Sequence, residues 1–559
     1  MLKKLTRPIG VCVLIMLLCA SCGTAPAGPD EIPGVLSRPP AKADTIEKDL
    51  LFGIAEPNVF QALPATRSAD AAKLVQSVGA KSYLNWISLP DTFIDNYSIK
   101  PGPIIRHRDY INELTMAGVQ QIVYVGDGWH MPPDLAQYTD GALPPRNMTV
   151  DSDYMKFLES YQLQWEALGA NLINIDYWQI GYELDRDENL HPIEYLTDKA
   201  KVFTQQQKAD IITDMLFAAT KGLLSSNVDS KVVLTGISGE GFTSGKTAEF
   251  ISLIYKNIAS GQFGGGSTKT KDYFRVLAWN PVIDGAPDDA WVAANQAIYE
   301  LAKQNGDGHK KAFLTKFGYA GGDGQGQWLV DAYKLAAEKL PFVECMMTYR
   351  LFEDDTALTD AEKTQGLFTR ALSPKTAAQT LQTAYEGQGD LAQYAVSAGK
   401  YARGANLAAD ATVKASSSCE HSEYTPPWGL DFINDGITYG AGWTNFYEAN
   451  ETQAVKGVEW LEFRLPVKTT VNRVNLFPRN MSDYSGGDFP RAFQILVSDD
   501  GKSWKEVGSY KLNMFGKNMY EYTFAAVTAG YVKINVTEMP PSGGDYDHVS
   551  FCEVEIIKA

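Results

Sequence analysis

The stretch Trp178-Gln179-Ile180-Gly181-Tyr182-Glu183-Leu184-Asp185 sets a carboxylate at the end of an apolar strand. A Glu so placed is aimed into the mouth of a barrel, where its surroundings can fit it for proton transfer. Cleaving a glycosidic bond takes two such groups, one on each side of the bond. Asp127, Glu240, Asp284, Glu353 and Asp354 follow other predicted strands. Each could join Glu183 in a wide-set pair that leaves room for a water. Asp185, Asp187 and Glu188 come directly after Glu183, so it reads equally well as one acid of a surface loop. Trp86, Trp129, Trp178 and Trp279 fall near strand ends. Their flat faces suit the C–H faces of sugar rings, although each alone also reads as core.

The elements that must position these residues are legible as alternation. Short apolar runs at Leu51–Ala55, Ser82–Trp86, Gln121–Val125, Ile173–Ile180, Lys231–Gly236, Arg275–Trp279, Lys311–Phe317 and Glu344–Tyr349 predict strands. Between them, Ser68–Val78, Asp153–Leu168, Gln205–Leu223, Ala290–Lys303 and Trp328–Leu340 carry helical periodicity. Eight β/α units over about 335 residues predict an α/β (TIM) barrel. A doubly wound open sheet is the alternative, but no Gly-rich phosphate turn leads from a strand into a helix. After Leu407 the runs become short and alternating, at Trp460–Leu465, Val471–Phe477, Ala492–Ser498, Tyr520–Phe524, Tyr531–Val536 and Glu553–Ile557. Asp435-Gly436 and Asp499-Asp500-Gly501 punctuate them, which predicts an antiparallel, all-β jelly-roll sandwich. The expected order is a leader over 1–22, a tether over 23–44, the barrel over 45–386, a linker over 387–405 and the sandwich over 406–559.

With 559 residues the chain is too long for one ordinary domain. Its 45% hydrophobic and 21% charged residues are those of a globular protein. The net charge of -17 argues against nucleic acid and anionic membranes as partners. Lys3, Lys4 and Arg7, the apolar run Ile9–Ala20 and then Leu18-Cys19-Ala20-Ser21-Cys22 form an export signal. Its end resembles a bacterial lipobox, which implies lipid on Cys22, a membrane lipid anchor and a place at the cell surface; simple secretory cleavage nearby is the other reading. Cys345, Cys419 and Cys552 are too few for a disulfide scaffold or a zinc site. Cys419 and Cys552 fall near the two ends of the second domain, where they could pair or stay as small buried thiols.

The barrel resembles the retaining glycoside hydrolases of clan A. Gly181-Tyr182-Glu183 is similar to the family's strand-four motif, and Phe313-Leu314-Thr315-Lys316-Phe317-Gly318-Tyr319 to its strand-seven motif. Met346–Asp355, Gly366-Leu367-Phe368 and Ser373-Pro374-Lys375-Thr376-Ala377 resemble its closing segment. The resemblance implies that Glu183 is the acid/base and that Tyr182, Asn280 and Tyr349 join the tryptophans in binding a poly- or oligosaccharide. It puts Lys316 where the nucleophile Glu belongs, Tyr182 where an Asn belongs and Asn280 where a His belongs. An ammonium cannot form a glycosyl ester, so retaining chemistry conflicts with this site, and Lys316 could instead pair with Glu183. The alternatives are an active glycoside hydrolase, a glycan-binding protein without turnover, or a surface adhesin.

The second domain resembles the discoidin, or factor 5/8 type C, family, including carbohydrate-binding module family 32. Asn406-Leu407-Ala408, Ile433-Asn434-Asp435-Gly436, Trp460-Leu461-Glu462-Phe463, Phe489-Pro490-Arg491-Ala492-Phe493 and Ile495 through Trp504 carry the likeness. It implies a structural Ca²⁺ held by Asp435, Thr438 and Glu553, whose oxygen donors suit that ion. It also implies sugar contacts from His421, Phe446, Arg479, Asn480, Tyr484 and Tyr546. For the barrel no cofactor is expected.

Overall fold

The computed structural model describes residues 50–57, 59–62, 68–95, 97–175, 177–282, 286–319, 322–354, 363–385, 389, 391, 406–420, 428–436, 442–445, 459–481, 484–485, 488–512, 517, 519–540 and 548–559. Cys22 with its leader, the tether, Asp284, His421, Thr438, Phe446, Tyr546 and most of 387–405 lie outside the described residues.

Eight parallel strands form the first unit: β1 (Leu51–Glu56), β2 (Ser82–Ser88), β3 (Gln121–Asp127), β4 (Tyr177–Ile180), β5 (Lys231–Val233), β6 (Leu277–Trp279), β7 (Ala312–Phe317) and β8 (Val343–Tyr349). They pair in the order β5-β4-β3-β2-β1-β8-β7-β6. Parallel bridges Val233↔Val276 and Ile237↔Trp279 join the two edges, so the sheet closes. Closure removes the edges that an open sheet would expose. The helices that follow the strands are α1 (Ser68–Ser77), α2 (Pro101–Met116), α3 (Asp153–Asn171), α4 (Gln205–Ser226), α5 (Lys246–Ser260), α6 (Asp289–Gln304), α7 (Gln325–Lys339) and α8 (Thr376–Tyr385).

Local sequence fixes where several of these helices begin. The Ser152 and Asp288 side chains accept backbone N–H groups at the starts of α3 and α6, and Thr204 with Gln207 forms a capping box on α4. Glycines allow the closest approaches. A Cβ on Gly126 would collide with the Trp165 ring, and one on Gly222 would meet the α3 backbone at Gln162. Among the described residues no helix is long and apolar enough to cross a membrane.

The second unit is an antiparallel sheet of β9 (Thr412–Ala415), β10 (Trp460–Phe477), β11 (Ala492–Ser498), β12 (Lys505–Lys511), β13 (Tyr520–Glu538) and β14 (Glu553–Lys558). Its order is β9-β10-β13-β11-β12, with β14 also on β10. The runs expected as four separate strands are two long ones. β10 and β13 stay extended through an irregularity between Arg464 and Thr469, where their register shifts. A bulge of this kind bends a strand without ending it. Each unit has its own buried apolar core.

Candidate active site

Strand facing decides which side chains can reach the barrel mouth. Asn85 donates to the Tyr124 hydroxyl at 3.1 Å, and that hydroxyl also meets His107 of α2. Trp178 packs edge-on against Trp165 of α3, and Trp279 donates to Asn295 of α6 at 2.8 Å. These residues therefore face the helices. Their strand neighbours Trp86, Asp127, Gln179 and Asn280 fall on the inner face by the two-residue period of a strand. Trp178 and Trp279 are fully buried and Trp129 is buried against Phe157, so these three are core residues and not a sugar platform. Trp86 is half-buried, and its ring meets that of Tyr182 at 5.4 Å.

Glu183 takes φ +46 just beyond β4, following Gly181 at φ +69. These left-handed turns end the strand and swing the carboxylate across the mouth; Gly adopts them at little cost, Glu does not. The loop is clamped from several sides. Asn189 donates to the carbonyls of Tyr182 and Glu183 at 3.2 and 3.1 Å. Lys208 of α4, buried, donates to Asp185 O and Asp187 Oδ1, both at 2.6 Å. The Asp185 carboxylate accepts from the Ser238 backbone at 2.9 Å and from its hydroxyl. Burial pushes the Asp185 carboxyl up, and the bonds from Ser238 oppose that rise.

The Glu183 carboxylate is itself buried. Oε1 accepts from Asn280 Nδ2 at 2.8 Å and stands 3.8 Å from Lys316 Nζ. Oε2 lies 3.4 Å from Arg186 Nη1. Asn280 is fixed in turn by Thr315, whose hydroxyl donates to its Oδ1 at 2.9 Å. Lys316 reaches the mouth through a bulge. Leu314 and Phe317 of β7 pair with Met346 and Thr348 of β8, so three steps on one strand match two on the other. Leu314 is the partner of outward-facing Trp279, and Phe317 packs on Trp291 of α6. Thr315 and Lys316 are thus both left to the inner side. The Lys316 ammonium lies 4.7 Å from the Tyr349 ring centroid and 5.5 Å from that of Tyr182.

The other acids fall into distinct situations. Glu353 pairs with Lys375 at 2.9 Å. Asp354 is held by Arg350 at 2.6 Å and Arg370 at 2.9 Å, so both acids serve ion pairs. Arg350 also binds Glu56 at 2.7 Å, and a cis peptide joins it to Tyr349. Glu240 is exposed in the loop after β5. Asp127, on the inner face at the end of β3, is exposed to solvent, with protein atoms close around its carboxyl. That crowding raises its carboxyl, and the Gly128 N–H opposes the rise. Arg186, Lys208, Ser238 and Thr315 are site residues that the sequence alone did not single out. Only the proximity of Arg186 to Glu183 in the chain could have flagged one of them.

In the sandwich, Arg479 pairs with buried Asp488 at 3.0 Å, and its guanidinium lies 5.4 Å from the Trp428 ring centroid. Asn480 and Tyr484 belong to the paired segments Asn480–Met481 and Tyr484–Ser485. Glu553 is fully buried and accepts the Gly436 N–H at 3.2 Å, whereas Asp435 is exposed. Among the described residues no group of three or more His, Cys, Asp or Glu gathers as a metal cluster. A buried carboxylate facing the Asp435-Gly436 turn is nonetheless the oxygen chemistry that Ca²⁺ takes. Cys345, Cys419 and Cys552 are buried and none is in a disulfide, so of the two alternatives for Cys419 and Cys552 the structure has the buried thiols and not the pair. Burial pushes the thiols of Cys345 and Cys552 up.

The fold and site define a closed α/β barrel with a carboxylate in its mouth, joined to an antiparallel β domain. Residues 412–554 match the F5/8 type C domain family, and the second unit is a domain of that type. The chain as a whole is similar to a family 39 glycoside hydrolase from the gut symbiont Bacteroides cellulosilyticus WH2, at 12% identity over 89% of this chain and 83% of that one, with a TM-score of 0.44. Its C-terminal part is similar to a carbohydrate-binding module from Clostridium perfringens solved with GalNAc-β-1,3-galactose, at 19% identity over 27% of this chain and 99% of that one, TM-score 0.23. A family 32 module of the same organism, solved with galactose, is 17% identical over 27% of this chain and 96% of its own, TM-score 0.21. No curated protein matches the sequence.

Proposed function

We propose that this chain is a carbohydrate-active protein. Its barrel mouth takes a poly- or oligosaccharide for glycosidic cleavage, and its F5/8 type C domain holds the same glycan. The observation that carries this reading is the Glu183 carboxylate, set between Asn280 at 2.8 Å and Lys316 at 3.8 Å at the end of the fourth strand. Trp86, Tyr182 and Tyr349 supply aromatic surface beside it. With an ammonium opposite Glu183, a glycosyl ester has no carboxylate to form on at that position, so cleavage proceeds by direct attack of water. Arg479, braced by Asp488 and Trp428, is the polar contact of the sandwich, because a fixed guanidinium can give two aligned hydrogen bonds to sugar hydroxyls.

Two further features complete the reading. Asp435 and Glu553 hold a structural Ca²⁺ together with Thr438. Lipid on Cys22 anchors the exported protein at the bacterial surface; a mature protein lacking that lipid would refute the anchor.

The Lys316–Glu183 contact also favours a second reading, in which the barrel binds glycan without turnover. Incubation with a panel of plant and host polysaccharides separates the two, read by reducing-end release and by binding. Release from one glycan supports cleavage. Binding alone supports the second reading, and neither effect on any glycan rejects both.

A further inference from the structure

We propose that Asp127, not Glu183, delivers the proton to the leaving oxygen, and that Glu183 is the accepting carboxylate. This rests on the reading of the barrel as a hydrolase. The side-chain partners of Glu183 among the described residues are Asn280 Nδ2, Lys316 Nζ and Arg186 Nη1. All three are donors. A carboxylate so placed is equipped to receive a proton rather than to give one.

Asp127 is the opposite case. No ion pair or side-chain hydrogen bond holds it among the described residues, and it opens to solvent on the inner face of the neighbouring strand. The register Gly126↔Ile180 places Asp127 beside Gly181. Glu183 is two residues further on, so the two acids stand at the mouth ends of neighbouring strands. An inverting pair needs roughly 6.5–9.5 Å between its carboxyl groups, room for a sugar carbon and a water, and acids on two neighbouring strand ends are of the right arrangement to flank one bond. Crowding raises the Asp127 carboxyl, in keeping with a group that carries its proton into the reaction.

The step balances without any other reagent. Water oxygen attacks the anomeric carbon as the bond from that carbon to the leaving oxygen breaks. Asp127 gives its proton to the leaving oxygen, and Glu183 takes one from the attacking water. The sugar is released inverted, and solvent returns the two carboxyls to their starting states.

Leaving-group dependence tests the assignment, because a leaving group of low basicity needs no proton. The probes are the polysaccharide that the wild type cleaves and the 2,4-dinitrophenyl glycoside of the same sugar. Asp127→Asn should lose about 10²-fold or more in kcat on the polysaccharide and far less on the dinitrophenyl glycoside. Glu183→Gln should lose comparably on both. The reverse pattern, with Glu183→Gln rescued by the better leaving group, overturns the assignment, as does an Asp127→Asn enzyme unaffected on either probe. In both of those outcomes an active wild type leaves the hydrolase reading standing. A wild type that releases nothing from any glycan defeats that reading and the assignment with it.

Discussion

Lys316 Nζ stands 3.8 Å from Glu183 Oε1, so an amine and a carboxylate from strands β7 and β4 meet in the barrel mouth. The bulge in β7 brings the amine there, and two left-handed residues bring the carboxylate. The pair leaves no carboxylate at the Lys316 position on which a sugar ester could form.

Replacing Lys316 by Glu sets two carboxylates side by side where a cation and an anion now meet. Like charges at that separation cannot both ionise readily, and a buried carboxylate loses its partner. Lys316→Glu should therefore lower barrel stability by roughly 2–4 kcal/mol at neutral pH, with part of the loss recovered on acidification. Thermal melting at pH 7 and pH 4.5 checks this. A variant as stable as the wild type at both pH values would mean that the contact carries no weight.

Arg350 joins Glu56 at the end of β1 to Asp354 beyond β8, and its side chain is only 2% exposed. Arg350→Met takes its cation from buried Glu56 and one of two cations from Asp354, which keeps Arg370. Breaking a buried pair from one side costs about 3–5 kcal/mol. Urea titration should show the first unfolding transition moving to markedly lower denaturant, and an unshifted midpoint would contradict the account.

Asp127 gives a prediction with a definite sign. Its carboxyl is raised in the folded state, so its contribution to stability is fully present below the unfolded value, about 4, and is lost as pH rises through the folded value. Asp127→Asn removes that loss. The variant should melt higher than the wild type at pH 7, and the gain should vanish at pH 3.5. Solvent contact keeps the effect small. A variant that melts lower at pH 7 would show that the carboxylate is stabilised in place.

Calcium should act on the second domain. Adding Ca²⁺ to chelated full-length protein should raise the melting transition of the sandwich and leave that of the barrel in place. Asp435→Ala should abolish the rise. An unchanged transition in the wild type would remove the ion from the account.

Much of the barrel was legible because its strands are buried on both faces and read as continuous apolar runs. All eight lie where the runs predicted them, although β4 begins at Tyr177 rather than at Ile173. The facing of those runs was not legible. Trp178 and Trp279 sit at strand ends like Trp86, but a one-residue difference in phase turns them to the helices. The bulge that delivers Lys316 leaves no mark in the sequence, because Phe313 through Phe317 reads as an ordinary strand. Lys208 was equally hidden: a lysine on a long helix is normally a solvated one, and only the fold buries it against Asp187. In the sandwich, turn signals and alternation were plain, but an irregular strand that keeps going looks in sequence like two strands.

The most direct test of the barrel's chemistry is the configuration of the first sugar released, followed by proton NMR before it mutarotates. Attack by water between Glu183 and Asp127 predicts an anomer inverted from the bond cleaved. A retained anomer would require a covalent intermediate and would contradict the reading of Lys316 and Glu183 given above.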